Sequence, residues 1–432
     1  MFIASYKKLT DLFEKKIYFF YLFFLIFTIF LSIIYTYLYL KKFDYQFNDN
    51  NEIILGLIPF GYGPLIENLY YQNKFEQTWY GINTYLTRLP FIPLFITSLS
   101  KISLNVYFIV ITKNIIFFSL IFYCIKITSF NFNKKFLSFL ILIILVFYNF
   151  YNTTVLSTYI YADAYVASIL PCIFLILLSN IKERYVLISI LIFILYFTKT
   201  SVFYLTIIIS ILFFILEKNL NINKKIFSII SLISAIMIWG TFGYIKTNKF
   251  PIGSNLLSNN QEALSIVMNK NFKDYYPKLS VDLIPRENIN NKFKSEWEFS
   301  EHYKDKNKEY FFNNKLNVFK DTLIKIKFIF FNYRKDALHA EINSNYTNPI
   351  IFSHIINRIV FIASIIILIQ NIFKSMLEKK LLNEDVYYFA IIIASLFPHI
   401  VGWATSKHLV PLFLVSHLYL FFKLNFFKKL TK

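Results

Sequence analysis

The chain has 432 residues, of which 56% are hydrophobic and only 16% charged, at a mean hydropathy of +0.51. That is more apolar surface than one water-soluble core can hide, and it falls in long uncharged blocks, so lipid is the natural solvent. The formal charge of +20 does not indicate nucleic acid, because the lysines gather at the ends of hydrophobic blocks rather than along one polar face. The abundance of Phe beside scarce Gly is what AT-rich codons produce, and Cys124 and Cys172, inside apolar blocks, read as small hydrophobes.

A helix needs about 20 apolar residues to span the hydrocarbon core, and lysine excess marks its cytoplasmic end. Lys7, Lys8, Lys15 and Lys16 place the N-terminus inside, so the block at 17–40 exits; with no small-residue cleavage site after it, it reads as a retained anchor. The polar stretch 41–89 is then external. A second span, 103–126, returns to Lys126, Lys134 and Lys135, and a third, 136–157, leads out to Asp163. A fourth ends at Lys182 and Arg184, a fifth near Lys199, and a sixth at Lys218, Lys224 and Lys225. The seventh, 226–245, exits into a polar region, 246–349. The eighth returns to Lys374, Lys379 and Lys380, and the ninth (386–404) and tenth (409–422) leave Lys423 to Lys432 inside.

The expected fold class is all-α: a polytopic transmembrane bundle of about ten spans with both termini cytoplasmic. Residues 1–245 form an N-terminal membrane module, 246–349 an external region, and 350–432 a three-span module. Pro90 to Lys101 is apolar but too short to cross and is expected as a juxtamembrane helix in the outer leaflet. Phe312, Leu316, Phe319, Leu323, Ile326 and Phe330 recur at three- and four-residue spacing, with lysines between them, which predicts an amphipathic helix on the bilayer surface. Residues 258–310, rich in Asn, Lys and Glu and carrying Pro277 and Pro285, read as irregular structure with short helices.

Charges on the external face are the candidates for chemistry, since carboxylates are costly at a membrane boundary. Asp163 interrupts a run otherwise uncharged from Phe136 to Ile181. Asp44, Asp49 and Glu52 follow the first span, with Glu67 and Glu76 leading to Arg88; a carboxylate here could serve as general base or hold a divalent cation. Lys199, Lys407 and His408 sit at external helix ends against the lysine bias, where a lipid-linked phosphate would supply their counter-charge. Lys113 and Arg358, nominally within spans, are further phosphate partners or snorkel to an interface. The remaining histidines, His302, His339, His354, His399 and His417, are scattered without metal-ligand spacing, so no residue is assigned to a metal. The chain contains no Walker loop, Gly-rich dinucleotide turn or CxxC pair.

Four stretches together resemble the GT-C superfamily of polyprenyl-phosphate-dependent glycosyltransferases, especially its bacterial branch similar to protein O-mannosyltransferases and aminoarabinose transferases. Asn68 to Phe75, followed by Thr87-Arg88-Leu89-Pro90-Phe91-Ile92-Pro93, is similar to that family's Asn-Leu stretch and basic-x-Pro-x-x-Pro element. Asp163 resembles the acid of its second external loop, and Leu195 to Lys199 its Leu-Thr-Arg ending the fifth span, with Lys for Arg. Lys407-His408-Leu409-Val410-Pro411 stands in the place of a late Arg-Tyr-x-x-Pro element, and Trp239 to Asn255 resembles the stretch before the family's large loop. Two departures stand out. The acid the family carries before its Asn-Leu stretch is out of register with Asp49 and Glu52, and Thr87 replaces an acid found in metal-binding relatives.

The resemblance implies sugar transfer from a polyprenyl-phosphate donor to an envelope glycan, lipid or protein acceptor, at the external face of a bacterial inner membrane, with inversion at the sugar. Lys199, Lys407, His408 and Arg88 would hold the donor phosphate, Asp49 or Asp44, with Glu52 beside them, would activate the acceptor, and Asp163 would orient donor or acceptor. No cofactor is implied with certainty, a divalent cation staying open. The competing readings are a polymerase or ligase of lipid-linked glycans and a transporter or flippase of lipid-linked saccharide; a flippase gains nothing from a large external region and usually carries charges deep within several spans.

Overall fold

The computed structural model describes residues 2–42, 44–58, 62–79, 81–129, 139–146, 148–149, 162–179, 181–218, 220–253, 293–331, 344–378, 382–401 and 406–423. Apolar helices occupy each expected block. In order they are α1 (Phe2–Lys42), α4 (Val106–Ser129), α5 (139–146), α6 (Ala162–Leu177), α7 (Arg184–Thr198), α8 (Phe203–Leu216), α9 (Ile222–Thr247), α12 (Ser344–Glu378), α13 (Asn383–Val401) and α14 (Val410–Lys423). Four segments, Ile17–Lys41, Val106–Ser129, Ile222–Thr247 and Phe352–Glu378, are long and apolar enough to cross a membrane. Phe19, Phe23, Ile26 and Phe30 on α1, and Ile230, Ile233 and Ile238 on α9, are exposed. Rows of large apolar side chains facing outward belong against lipid. The rest of the third expected span, beyond α5, lies outside the described residues.

At the centre stands α6, whose residues from Asp163 to Leu177 are all buried. A helix apolar on every side must be surrounded, and α6 is packed by α4, α7 and α14. Helix α1 packs on α4, where polar side chains supply cross-helix bonds suited to lipid: Asn114 donates to Ser32 at 2.8 Å, and Tyr21 and Ser119 share a bond of 2.8 Å. On the other flank α7 packs on α9, α9 on α8 and α8 on α13, while α12 packs on α14.

Between α1 and α4 lie α2 (Gly63–Gln72), a hairpin of β1 (Gln77–Trp79) and β2 (Ile82–Thr84), and α3 (Phe91–Ile102). The hairpin pairs Gln77 with Thr84 and Trp79 with Ile82, and Gly81 takes φ 76°, open to a residue without Cβ. This pair of short strands qualifies the all-α expectation. Helix α3 forms over the expected juxtamembrane block.

Two further helices follow, α10 (Glu296–Asn313) and α11 (Lys315–Phe331). The expectation of irregular structure through 310 is therefore corrected from Glu296 onward. A local cap accounts for it: Ser295 Oγ accepts from Glu298 N–H at 3.2 Å, and the Glu298 carboxylate accepts from Lys294 N–H at 2.8 Å. Glu296, fully buried, ties this region to the first external loop by accepting the Tyr85 and Leu86 N–H groups at 3.3 and 3.2 Å. Burial, opposed by these two bonds, pushes its carboxyl up to about 7. Of the expected stripe, Phe312 just before α11, Leu316, Phe319 and Leu323 are exposed, whereas Ile326 and Phe330 are half-buried and Phe330 stacks on Phe361. The opposite side of α11 packs on the segment Ser406–Leu409 and on α13.

After α9 the chain folds back on the helix that precedes it. Gly240 and Gly243 make room: a Cβ at either would meet the Phe250 ring at 1.9 Å or Pro251 at 2.3 Å. The return is pinned by Trp239 Nε1 donating to Gly253 O at 3.0 Å and the Tyr196 hydroxyl donating to Ile252 O at 2.5 Å.

Candidate functional site

Four helix ends meet in one polar cluster. Asp163 lies in the first turn of α6, Lys199 caps the C-terminal end of α7, His399 lies in the last turn of α13, and His408 belongs to the 3-10 turn Ser406–Leu409 that leads into α14. The two helix dipoles favour the arrangement, a carboxylate at an N-terminus and an ammonium at a C-terminus. Lys199 Nζ is 2.6 Å from Asp163 Oδ1 and 3.5 Å from His399 Nε2, and His408 Nδ1 is 3.5 Å from the same Asp163 oxygen. The His399 and His408 rings stack at 3.5 Å. All four side chains are withdrawn from solvent, with those of Asp163 and Lys199 13% and 18% exposed.

Three of the sequence candidates, Asp163, Lys199 and His408, thus come together. His399 joins them, which corrects its reading as one of several scattered histidines. Arg88 lies in a second layer. Its guanidinium is 5.1 Å from the Tyr62 ring, and the Tyr62 hydroxyl is held above its usual range mainly by burial, with Arg88 pulling it down and Asp163 pushing it up. Lys407 shares the turn of His408, and its side chain lies outside the described residues.

The first-loop acids stand elsewhere. Asp44 lies in the 3-10 turn Asp44–Gln46 and Asp49 on an exposed turn. Glu52 bridges to Asn105 at the start of α4, and its carboxylate accepts from Asn48 at 2.8 Å. Among the described residues no hydrogen bond or ion pair joins Asp49 or Glu52 to the Asp163 cluster. Glu67 packs its carboxylate against Gly56, where a Cβ would meet Oε2 at 2.5 Å.

Asp163, His399 and His408 offer three ligand atoms within 4.8 Å of one another, a set that suits a divalent ion in donor type. Lys199 Nζ stands in the same space, so its ammonium is the cation these donors face and an ion would have to displace it. Neither intramembrane cation snorkels. Arg358 is buried and donates to Phe330 O at 3.0 Å, which ties α12 to α11. Lys113 is buried on α4, 5.7 Å from the centre of the Tyr165 ring.

An apolar groove of about 620 Å³ runs between α2, α3, α7 and α9, walled by Phe75, Phe91, Phe95, Phe197, Trp239 and Phe242. Leu94 and Ile238 on its rim are exposed, so it opens toward the lipid-facing side. Phe197 precedes Lys199 by two positions, and Phe91 and Phe95 pack edge-on against Tyr165, two positions after Asp163. A second, polar cleft of about 540 Å³ lies outside the membrane helices, among Tyr85, Lys246, Lys249, Trp297 and Glu298.

Fold and site together define a largely helical protein with apolar helices able to cross a membrane and a polar cluster where four helix ends converge. No family model, curated protein or solved structure matches the chain.

Proposed function

We propose that this protein is a membrane glycosyltransferase that moves a sugar from a polyprenyl-phosphate donor to a glycan, lipid or protein acceptor at the external face of a bacterial inner membrane. In this reading the ten apolar helices are ten spans, both termini are cytoplasmic, and the architecture is GT-C-like. One observation carries it: the Asp163–Lys199–His399–His408 cluster lies two positions along the chain from Phe197, which walls an apolar groove with an exposed apolar rim, and from Tyr165, which packs on the groove's Phe91 and Phe95. A polar head that must stay attached to a long apolar tail needs that combination, and an isoprenoid chain along the aromatic walls would deliver its phosphate to the helix ends.

The chemistry is a displacement at the sugar's anomeric carbon. The acceptor oxygen forms the new bond, the bond from that carbon to the phosphate oxygen breaks, and polyprenyl phosphate leaves with both bonding electrons. Lys199, His408 and Arg88, with Lys407 beside them, stabilise the charge that develops on the leaving phosphate. Asp163 fixes Lys199 and orients the reactants, and the acceptor proton is assigned to a first-loop carboxylate, Asp49, Asp44 or Glu52, which has to come within hydrogen-bond reach of the acceptor when substrate binds.

Deleting the gene and profiling lipid-linked sugars and surface glycans by mass spectrometry tests the reading. Loss of one sugar from the surface with accumulation of its monophosphate-linked donor is expected. Accumulation of a diphosphate-linked oligosaccharide would instead assign the protein as a polymerase or ligase, and unchanged glycans would end the reading. A flippase is disfavoured by the cytoplasmic ends, where Arg184 pairs with Glu217 and Lys423 lies 2.8 Å from Asp385, both pairs buried closures that alternating access would have to break.

A further inference from the structure

Three of the cations withdrawn from solvent in this bundle are matched to an acid. Arg184 has Glu217, Lys199 has Asp163, and Lys423 has Asp385 and Glu384. Lys113 is different. Its side chain is 3% exposed, and its Nζ meets no hydrogen-bond acceptor among the described residues. An ammonium withdrawn from water without an acceptor is costly, and a lysine near a helix end would ordinarily snorkel to the interface. Lys113 follows the first residue of α4 by seven positions, roughly 10 Å along the axis. That depth is within reach of a snorkelling side chain, yet it turns inward.

What it faces is the inner side of the groove wall. Its Nζ lies over the Tyr165 ring, whose edge contacts join it to Phe91 and Phe95 of that wall at 6.2 and 6.1 Å. Lys199, already 2.6 Å from a carboxylate, has much of its charge committed. Lys113 has no such commitment.

We propose that Lys113 is an anion-binding residue for a phosphate group, and that it contributes more to holding the phosphate of a lipid-linked ligand than Lys199 does. The assignment of the lipid rests on the glycosyltransferase reading; the anion site itself does not. Lys113 then acts as the main phosphate anchor, and Lys199, tied to Asp163, contributes the smaller share.

The test uses the full chain in phosphatidylcholine nanodiscs, titrated with farnesyl phosphate, farnesol and inorganic phosphate and followed by tryptophan fluorescence, since Trp239 lines the groove. The wild type is expected to bind farnesyl phosphate in preference to farnesol. Lys113→Met should weaken farnesyl phosphate by roughly tenfold or more, the loss of one charge-assisted bond, with farnesol unchanged, and Lys113→Arg should retain most of the affinity. Because Met keeps the bulk and removes a buried charge, Lys113→Met should also raise the thermal midpoint, the opposite of what a structural lysine would give. Unchanged farnesyl phosphate affinity in Lys113→Met, or an equal loss for farnesol, overturns the proposal. Inorganic phosphate binding as tightly as farnesyl phosphate overturns the lipid assignment and supports the anion site. If Lys113→Met fails while Lys199→Met abolishes binding, this inference falls and the glycosyltransferase reading stands; absence of farnesyl phosphate binding by the wild type sinks both.

Discussion

Asp163 and Lys199 give the sharpest energetic prediction, because one contact between two helix ends joins structure to chemistry. At 2.6 Å the Coulomb attraction is roughly 6 kcal/mol in a medium of effective dielectric about 20, before desolvation takes back its share. With both side chains less than one fifth exposed, removing one partner strands the other in a poorly solvated place and is expected to destabilise by about 3 kcal/mol. Asp163→Asn and Lys199→Met should each show that loss in denaturant unfolding of the purified protein, while the double variant should recover much of it. The coupling energy is expected at about 2 kcal/mol or more. Sugar transfer should be lost in all three variants, since restoring stability does not restore the charges that face the substrate. Strictly additive stability losses would refute the pairing, and an active double variant would refute its part in chemistry.

Further outcomes follow from other parts of the molecule. Glu296 is raised from 4.5 to about 7 in the folded chain, so docking of the Glu296 region onto the segment that follows β2 takes up a proton between those values. Its stabilisation is complete below about pH 4.5 and is lost as pH rises to about 7, at up to about 1.4 kcal/mol per unit. Hydrogen-exchange protection of Tyr85 and Leu86, corrected for intrinsic rates, should decline over that window, and Glu296→Gln should flatten the dependence. Ser98, on the exposed lining of the groove, tolerates bulk without disturbing the core. Ser98→Trp should block farnesyl phosphate binding and leave the thermal midpoint unmoved; unimpaired binding would remove the groove from the account. On the opposite face Glu217→Leu should destabilise by about 3–5 kcal/mol by stranding Arg184. A bifunctional maleimide bridging Arg184→Cys and Glu217→Cys should spare sugar transfer, whereas a flippase locked there would stop.

The helices were legible because their signal is strong: uncharged apolar blocks, most of them flanked by lysines, four of which reach spanning length among the described residues. α3 was equally legible, too short to cross and too apolar for water. α10 escaped because its residues lack apolar periodicity, yet its start was written in Ser295-Glu296-Trp297-Glu298, a capping box that local hydrogen bonds now account for. Asp163, Lys199 and His408 could be grouped from topology alone, since alternation puts them at one membrane face. His399 could have been added by the same argument. It ends the helix before the loop that carries His408, and spacing-based reasoning about metal ligands obscured that. Lys113 could not be resolved from sequence, because an almost wholly apolar helix does not show which side faces lipid and which faces the bundle.

The central claim is that the Asp163 cluster works on a phosphate-linked sugar. Its most direct measurement is the pool of lipid monophosphate sugar, by mass spectrometry, in a deletion strain complemented with wild type or with Asp163→Asn at equal membrane abundance. The account predicts that wild type clears the accumulated donor and restores the surface sugar, whereas Asp163→Asn leaves both at the level of the deletion. Full clearance by Asp163→Asn would contradict it.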